Sequence, residues 1–283
     1  MNAIDIKAVT KEYPGFSLGE INLELPQGAI MGLVGENGAG KSTLIKLIMG
    51  AAAPKSGKIS VLGVDNRDKE FSRIKEDVGV VLDEAYFPEP LNAKQLGSIM
   101  ADTYERWDAQ AYEKYLRDFG LTDNKPFSDF SRGMKMKLAI AVALSHSPKL
   151  LILDEATSGL DPMVRDEILD IFNDFTRDES HSVLLSSHIV SDLEKICDYI
   201  AFIHRGKLLL CKEKDSILEE YAIVKLSPEK FADLPEAAVV GAKKTPYGVE
   251  ALVERRAVSP AFSLERTTLE EIILFLAKAE EKV

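Results

Sequence analysis

Residues 29–50 read AIMGLVGENGAGKSTLIKLIMG. The apolar run at its start predicts a buried strand, the glycines a tight turn, and STLIKLIMG an amphipathic helix. Within it, GENGAGKST satisfies G-x-x-x-x-G-K-[ST] through Gly35, Gly40, Lys41 and Ser42, with Asn37, Gly38, Ala39 and Thr43 filling the frame. Such a turn curls backbone N–H groups around a polyphosphate, sends the lysine to its outer phosphates and offers the serine hydroxyl to Mg²⁺. The helix that follows directs its N-terminal dipole at the same anion. A glycine turn that merely joins two elements has no need of the strand before it and the helix after it.

Working outward, IDIKAV, INLELP, KISVLG and VGVVL read as strands on either side of this centre, and KLLILD, SVLLSS, YIAFI and GKLLL as strands further on. Helical patterns alternate with the later strands in PMVRDEILDIFNDF and IVSDLEKI, so the chain predicts an α/β core built on a parallel sheet. Between about 89 and 147 the pattern turns helical and forms an insert. Beyond Cys211, short strands and the closing helix TTLEEIILFLAKAEEK predict a small α+β appendage. The expected domains are therefore 1–211 and 212–283. No internal repeat joins them.

The tetrapeptide LDEA occurs twice, as Leu82–Ala85 and Leu153–Ala156. The second copy ends an apolar strand, where an open α/β sheet places its ligands. A triphosphate site needs acids for a metal and for water, which assigns Asp154 to Mg²⁺ and Glu155 to the attacking water. A lone strand-terminal acid would serve equally well as a helix cap.

Composition narrows the classes. With 283 residues, 46% of them hydrophobic, the chain can bury one substantial core and a small second domain. Two cysteines, Cys197 and Cys211, make no disulfide framework or metal-ligand pattern and fit a reducing compartment. The first residues lack a signal peptide's layout, and no apolar run reaches the roughly 18 residues of a membrane span. A net charge of −11 argues against nucleic acid as a partner, because gripping a phosphate backbone takes basic residues.

From these motifs the first 210 or so residues resemble the ATPase subunits of ATP-binding cassette (ABC) transporters, a family on the P-loop NTPase fold. The resemblance implies an N-terminal antiparallel β subdomain ahead of the α/β core, and ATP and Mg²⁺ as ligands. It implies that Tyr13 stacks on adenine, with Phe16 a rival. FSRGM, Phe130–Met134, stands where the family has its LSGGQ-type signature, so Ser131 and the Gly133 N–H would meet the γ-phosphate of ATP held by a second ATPase subunit. Asp161 of SGLD falls in the loop that crosses that interface, and His188 of SSHIVSD in the place of the switch histidine. Taken singly, Ser131 and Asp161 are ordinary helix caps. Asp83 stands where the family usually has a glutamine that touches the metal and links nucleotide to the membrane partner; an acid cannot donate as an amide does. With Glu84 it could instead end a sheet edge and face solvent.

The family's reaction would be ATP hydrolysis in a dimer that sandwiches two nucleotides and powers export through separate transmembrane permease subunits, at the cytoplasmic face of the membrane. The signature variant and appendage look most like exporters of antimicrobial or amphipathic peptides. Tyr86, Phe87, Tyr104 and Trp107 are candidates for docking on the permease or for core packing. Two rivals stand beside this reading. A non-transport ABC ATPase of translation or DNA maintenance usually has two cassettes or a long coiled coil, whereas this chain has one cassette and a short insert. A P-loop phosphotransferase would not need Ser131, Asp161 and His188 together.

Overall fold

The computed structural model describes residues 1–83, 86–121 and 124–280. Strands β1 (Asn2–Tyr13) and β2 (Phe16–Pro26) form one long hairpin. Strand β3 (Ile30–Val34) leads through the glycine turn into α1 (Lys41–Ile48). There follow β4 (Ser56–Val61), β5 (Val64–Asp65), the short helix α2 (Phe71–Ile74) and β6 (Val78–Val81). The insert consists of α3 (Ala93–Thr103), α4 (Ala109–Asp118) and α5 (Arg132–Leu144). The core resumes with β7 (Leu150–Asp154), α6 (Pro162–Phe175), β8 (Ser182–Ser187), α7 (Val190–Ile196), β9 (Tyr199–His204) and β10 (Lys207–Glu213). The C-terminal part contains α8 (Lys214–Glu220), β11 (Tyr221–Leu226), α9 (Pro228–Phe231), β12 (Val239–Thr245), β13 (Gly248–Glu254) and α10 (Leu269–Glu280).

The central sheet runs β10-β9-β3-β8-β7-β6, parallel from β9 to β6 with β10 added antiparallel at one edge. Every residue of β3, β7 and β8 is buried, because helices cover both faces of a parallel sheet and leave no room for polar alternation. The antiparallel sheet β2-β1-β4-β5 lies beside it, and Leu18, Ile21, Leu23 and Leu25 of β2 join Leu33, Leu44 and Ile203 in one apolar cluster. The hairpin and the phosphate loop are thereby packed as a unit.

Helix starts in the insert are set by local chemistry. Asn92 and Gln95 close a reciprocal capping box on α3, and Asp108 caps α4. Three of the four aromatic candidates for docking are spent on packing. Phe87 meets Phe127 edge-on at 5.6 Å, Tyr104 stacks on His146 at 4.1 Å, and Trp107 tilts over Tyr112 at 5.0 Å. Tyr86 is exposed.

Residue 211 lies inside β10 rather than between elements. The C-terminal sheet, β11-β13-β12, shares the main core: Ile217, Tyr221, Ile223, Leu252 and Ile272 belong to the same cluster as Leu153, Phe172 and Leu185. Among the described residues no helix is long and apolar enough to cross a membrane.

Candidate nucleotide site

The loop after β3 turns on glycines, required at Gly35 by close approach and at Gly38 and Gly40 by a left-handed backbone. A Cβ on Gly35 would sit 2.3 Å from the Ile203 carbonyl, and Gly38 and Gly40 hold φ of +83° and +116°. Ala39 N–H donates to the Glu36 carbonyl at 3.1 Å, while Gly206 N–H donates to the Ala39 carbonyl at 2.9 Å, so the β9–β10 turn supports the loop from behind. The loop encloses an open cavity of about 450 Å³ lined by Phe16, Glu36, Asn37, Gly38, Gly40, Lys41, Ser42, Thr43, Asp83 and Glu155. Four separate segments of the chain meet there: the hairpin at Phe16, the loop itself, Asp83 after β6 and Glu155 after β7.

Lys41 is buried at the first position of α1. Its ammonium donates to the Gly35 carbonyl at 2.7 Å and pairs with Glu155 Oε1 at 3.1 Å. The other carboxylate oxygen, Oε2, lies 2.7 Å from His188 Nδ1. Glu155 thus spans the phosphate-loop lysine and the histidine that follows β8. Its backbone makes the turn that allows this, at φ +53°, with its N–H donating to the Ser186 carbonyl at 3.1 Å and its own carbonyl accepting from Ser158 at 3.0 Å.

Asp154, next to Glu155 at the end of β7, is buried and not part of the cavity lining; the Ser186 hydroxyl donates to its Oδ1 at 2.5 Å. Parallel pairing puts Asp154 opposite Ser186 and fixes that contact. Beyond His188, Asp192 anchors α7 to its neighbours. Burial holds its carboxyl above the usual carboxylate range, against the pull of the Thr157 hydroxyl and the Arg165 guanidinium.

The remaining candidates lie apart from the cavity lining. Ser131 caps α5, its hydroxyl accepting the Met134 N–H at 3.3 Å, and Asp161 caps α6, accepting the Val164 N–H at 3.1 Å with Pro162 in the first turn. The two caps are neighbours: a Cβ on Gly133 would touch Val164 at 3.2 Å, and one on Gly159 would meet the Arg132 guanidinium at 2.7 Å. The signature segment and the SGLD loop therefore form a second cluster. Tyr13 stands at the turn of the first hairpin, paired with Phe16, under the Lys11 ammonium, 5.0 Å from its ring centre, and its rival Phe16 is the aromatic that lines the cavity. Glu84 of the first LDEA lies outside the described residues.

Sequence reasoning passed over Glu36 and Ser186 altogether. Glu36 occupies a variable position of the loop motif, and Ser186 acquires its meaning only from strand register. Among the described residues no cluster of three His, Cys, Asp or Glu side chains is arranged to hold a metal by itself. Cys197 is enclosed in the core, where burial pushes its thiol up.

A family profile described as ABC transporter matches residues 18–158. The lantibiotic transport ATP-binding protein SrtF of Streptococcus pyogenes is 37% identical over 202 residues, covering 70% of this chain and 85% of the relative. The chain belongs to the ABC transporter ATP-binding proteins. The bacitracin transport ATP-binding protein BcrA of Enterococcus faecalis is 35% identical over 209 residues, covering 73% of this chain and 68% of BcrA. A solved ATP-binding subunit of an ABC transporter superposes with a TM-score of 0.67 at 29% identity, covering 76% of this chain and 91% of that one. The ABC subunit described here is accordingly an ATP-binding ATPase. The non-transport and phosphotransferase alternatives give way to this membership.

Proposed function

We propose that two copies of this subunit, or one copy and a related subunit, enclose ATP between the phosphate loop of one and the Ser131–Gly133 segment of the other, and that closing and opening of this pair drives export through separate transmembrane subunits. The observation that carries the reading is the placement of Glu155. It is held between Lys41 and His188 on an open cavity, while the second cluster of anion-binding backbone, at the capped start of α5, contributes nothing to that cavity in the same chain. Two half-sites of this kind are complementary across a two-fold axis, the usual symmetry of such pairs.

In this mechanism Lys41 exchanges Glu155 for the phosphates when nucleotide enters. Glu155, released on that side, orients water and accepts its proton, a role typically worth about 10²- to 10⁴-fold in rate. His188 Nδ1 fixes the direction of the carboxylate. The donor set fits Mg²⁺, since Ser42 and Asp83 line the cavity, Asp154 adjoins Glu155 with one oxygen engaged by Ser186, and every donor is a hard oxygen. Ser42, Asp154 and Asp83 would hold the ion, which when bound neutralises charge on the phosphate oxygens. Phe16 gives the base an apolar face at the hairpin's turn, across which Tyr13 pairs with it.

The cargo we infer is an antimicrobial or amphipathic peptide, by likeness to the lantibiotic and bacitracin transport proteins. The insert with the Asp83 loop, where Tyr86 is exposed, is the surface offered to the permease, and the subunit works there on the inner face of the membrane. The residues from 212 onward act as an accessory module that stiffens the core. The charge of −11 argues against nucleic acid as a further partner. Two measurements test it. With ATP the protein should dimerise in solution, and it should co-purify with a membrane protein encoded beside it; a protein that turns over ATP as a strict monomer refutes the shared site. Asp83→Ala should alter the Mg²⁺ dependence of turnover, and an unchanged profile removes Asp83 from the metal.

A further inference from the structure

The phosphate loop carries an acid of its own. Glu36 lines the cavity with its side chain about half exposed, 57%, beside the place where a polyphosphate must lie. A free carboxylate there would repel the ligand. The repulsion matters because the loop otherwise works by presenting N–H groups and the Lys41 ammonium.

The structure holds a counterweight in the core. His204 ends β9 and is only 4% exposed, an unusual burial for a residue with two polar ring atoms. Parallel pairing of β3 with β9 runs to Val34 and Phe202, and carrying that register two residues further brings Glu36 beside His204. The Nδ1 atom lies 3.4 Å from Glu36 Oε1, and His204 is the only ion-pair partner of Glu36 among the described residues. The second ring nitrogen, Nε2, is enclosed with no hydrogen-bond partner among them. The other carboxylate in the field of His204 is Glu280 at the end of α10, and Lys207 of β10 is paired with it. Glu36 is thus the acid left for the imidazole.

Glu36 also matters through its backbone. Its carbonyl accepts the Ala39 N–H that closes the loop turn, and lies 3.4 Å from the Lys41 ammonium. A displacement of this residue would therefore move both the turn and the cation. We propose that His204 is a positioning residue for nucleotide binding: it draws the Glu36 carboxylate down against the β9–β10 turn and away from the phosphates. This inference rests on the phosphate loop being the ATP site. His204 touches no substrate, so its effect falls on affinity and not on the chemical step.

Nucleotide binding titrations on purified protein, with unfolding temperature recorded for each variant, test the idea. His204→Leu should weaken ATP about three- to tenfold, the size expected for one incompletely screened charge repulsion, and the ratio to wild type should shrink in about 0.5 M salt. His204→Asn, which keeps a donor near Nδ1, should recover most of the loss. Glu36→Gln placed in the His204→Leu background should also recover it, since no charge remains to be restrained. Turnover at saturating ATP should stay within about twofold of that of wild type in His204→Leu, because KM and not kcat carries the effect. A leucine variant that binds ATP like wild type overturns the proposal, and so does a loss that Glu36→Gln leaves untouched, which would mark His204 as a packing residue only. If His204→Leu does not fold, the ring-nitrogen resonances of His204 in the otherwise intact protein decide: Nδ1 should shift on Glu36→Gln, and an unmoved signal overturns the idea. A wild-type protein that fails to bind ATP at all would instead strike the reading of the site itself.

Discussion

Replacing Glu155 by glutamine keeps the shape of the side chain and removes its charge and basicity, and the geometry separates the two consequences. The amide cannot take a proton from water, so hydrolysis should fall by about 10²- to 10⁴-fold, the usual worth of a positioned general base. The second consequence concerns the resting contact. The carboxylate holds Lys41 at 3.1 Å and His188 at 2.7 Å, and ATP has to take the lysine away from it. A charge-assisted contact is worth roughly twice a neutral one, a difference of about 1 kcal/mol at the scale of single hydrogen bonds. Glutamine should therefore release Lys41 more readily and tighten ATP about fivefold even before any dimer forms. The assay is paired: phosphate release under single-turnover conditions, and equilibrium binding of ATP at a protein concentration too low for association. Tighter binding with lost turnover supports both roles. Turnover within tenfold of wild type would refute Glu155 as the base, and unchanged or weaker affinity would refute its competition for Lys41.

Three further outcomes follow from contacts elsewhere. Ser131→Ala removes the cap of α5 and should cost about 1 kcal/mol of stability, yet reduce ATP turnover by well over tenfold while leaving ATP affinity of the monomer unchanged; equal effects on stability and turnover would reduce the residue to its cap. Gly35→Ala drives a methyl against the Ile203 carbonyl, 2.3 Å from the ideal Cβ, so it should abolish ATP binding by displacing the loop, measured by titration beside an unfolding curve. His146 is buried under Tyr104, and burial lowers its pKa from the ordinary imidazole value of about 6.5 despite the raising pull of the Val78 carbonyl. The unfolded state then binds more protons, so stability is held above about pH 6.5 and lost as the pH falls below it; His146→Phe, which keeps the stack, should flatten the fall in unfolding temperature between about pH 7 and 5.5.

The strands were legible wherever burial was uniform. AIMGLVG, KLLILD and SVLLSS announce themselves because strands covered on both faces need apolar residues without alternation, and they became β3, β7 and β8. The first hairpin was read only in part. β1 and β2 run much longer than IDIKAV and INLELP, since register shifts between Ile6 and Val9 and between Val9 and Lys11 break the two-residue period. Helix α8 was missed because KDSILEE offers only a single fully buried side chain, Ile217. The phosphate loop was readable because its function is local: nine consecutive residues supply turn, lysine and hydroxyl. Contacts made by strand register were invisible, and these include Ser186 on Asp154 and His204 beside Glu36. Phe16 could be named as a rival of Tyr13 but not ranked above it, because the two flank the hairpin's turn and pair with each other.

The two LDEA copies show how position in a sheet decides what identical letters do. β7 is flanked by β8 and β6, and its Leu153 is fully buried. That strand is fixed from both sides, so the chain can reverse sharply at its end. Glu155 takes φ +53°, which for a residue with a side chain costs about 1–2 kcal/mol, and hydrogen bonds to Ser186 and from Ser158 hold it there. The turn divides the acids: Asp154 stays buried against Ser186, Ala156 enters the core, and Glu155 swings into the cavity. β6 is the edge strand, paired with β7 alone, and it ends at Val81. The first copy therefore begins where sheet support has already stopped, with Leu82 exposed and Asp83 reaching the same cavity from the side. Glu155 is held in place by its own turn and by the neighbours on either side of its strand. The same four letters thus sit in different surroundings, and it is the number of flanking strands that separates them.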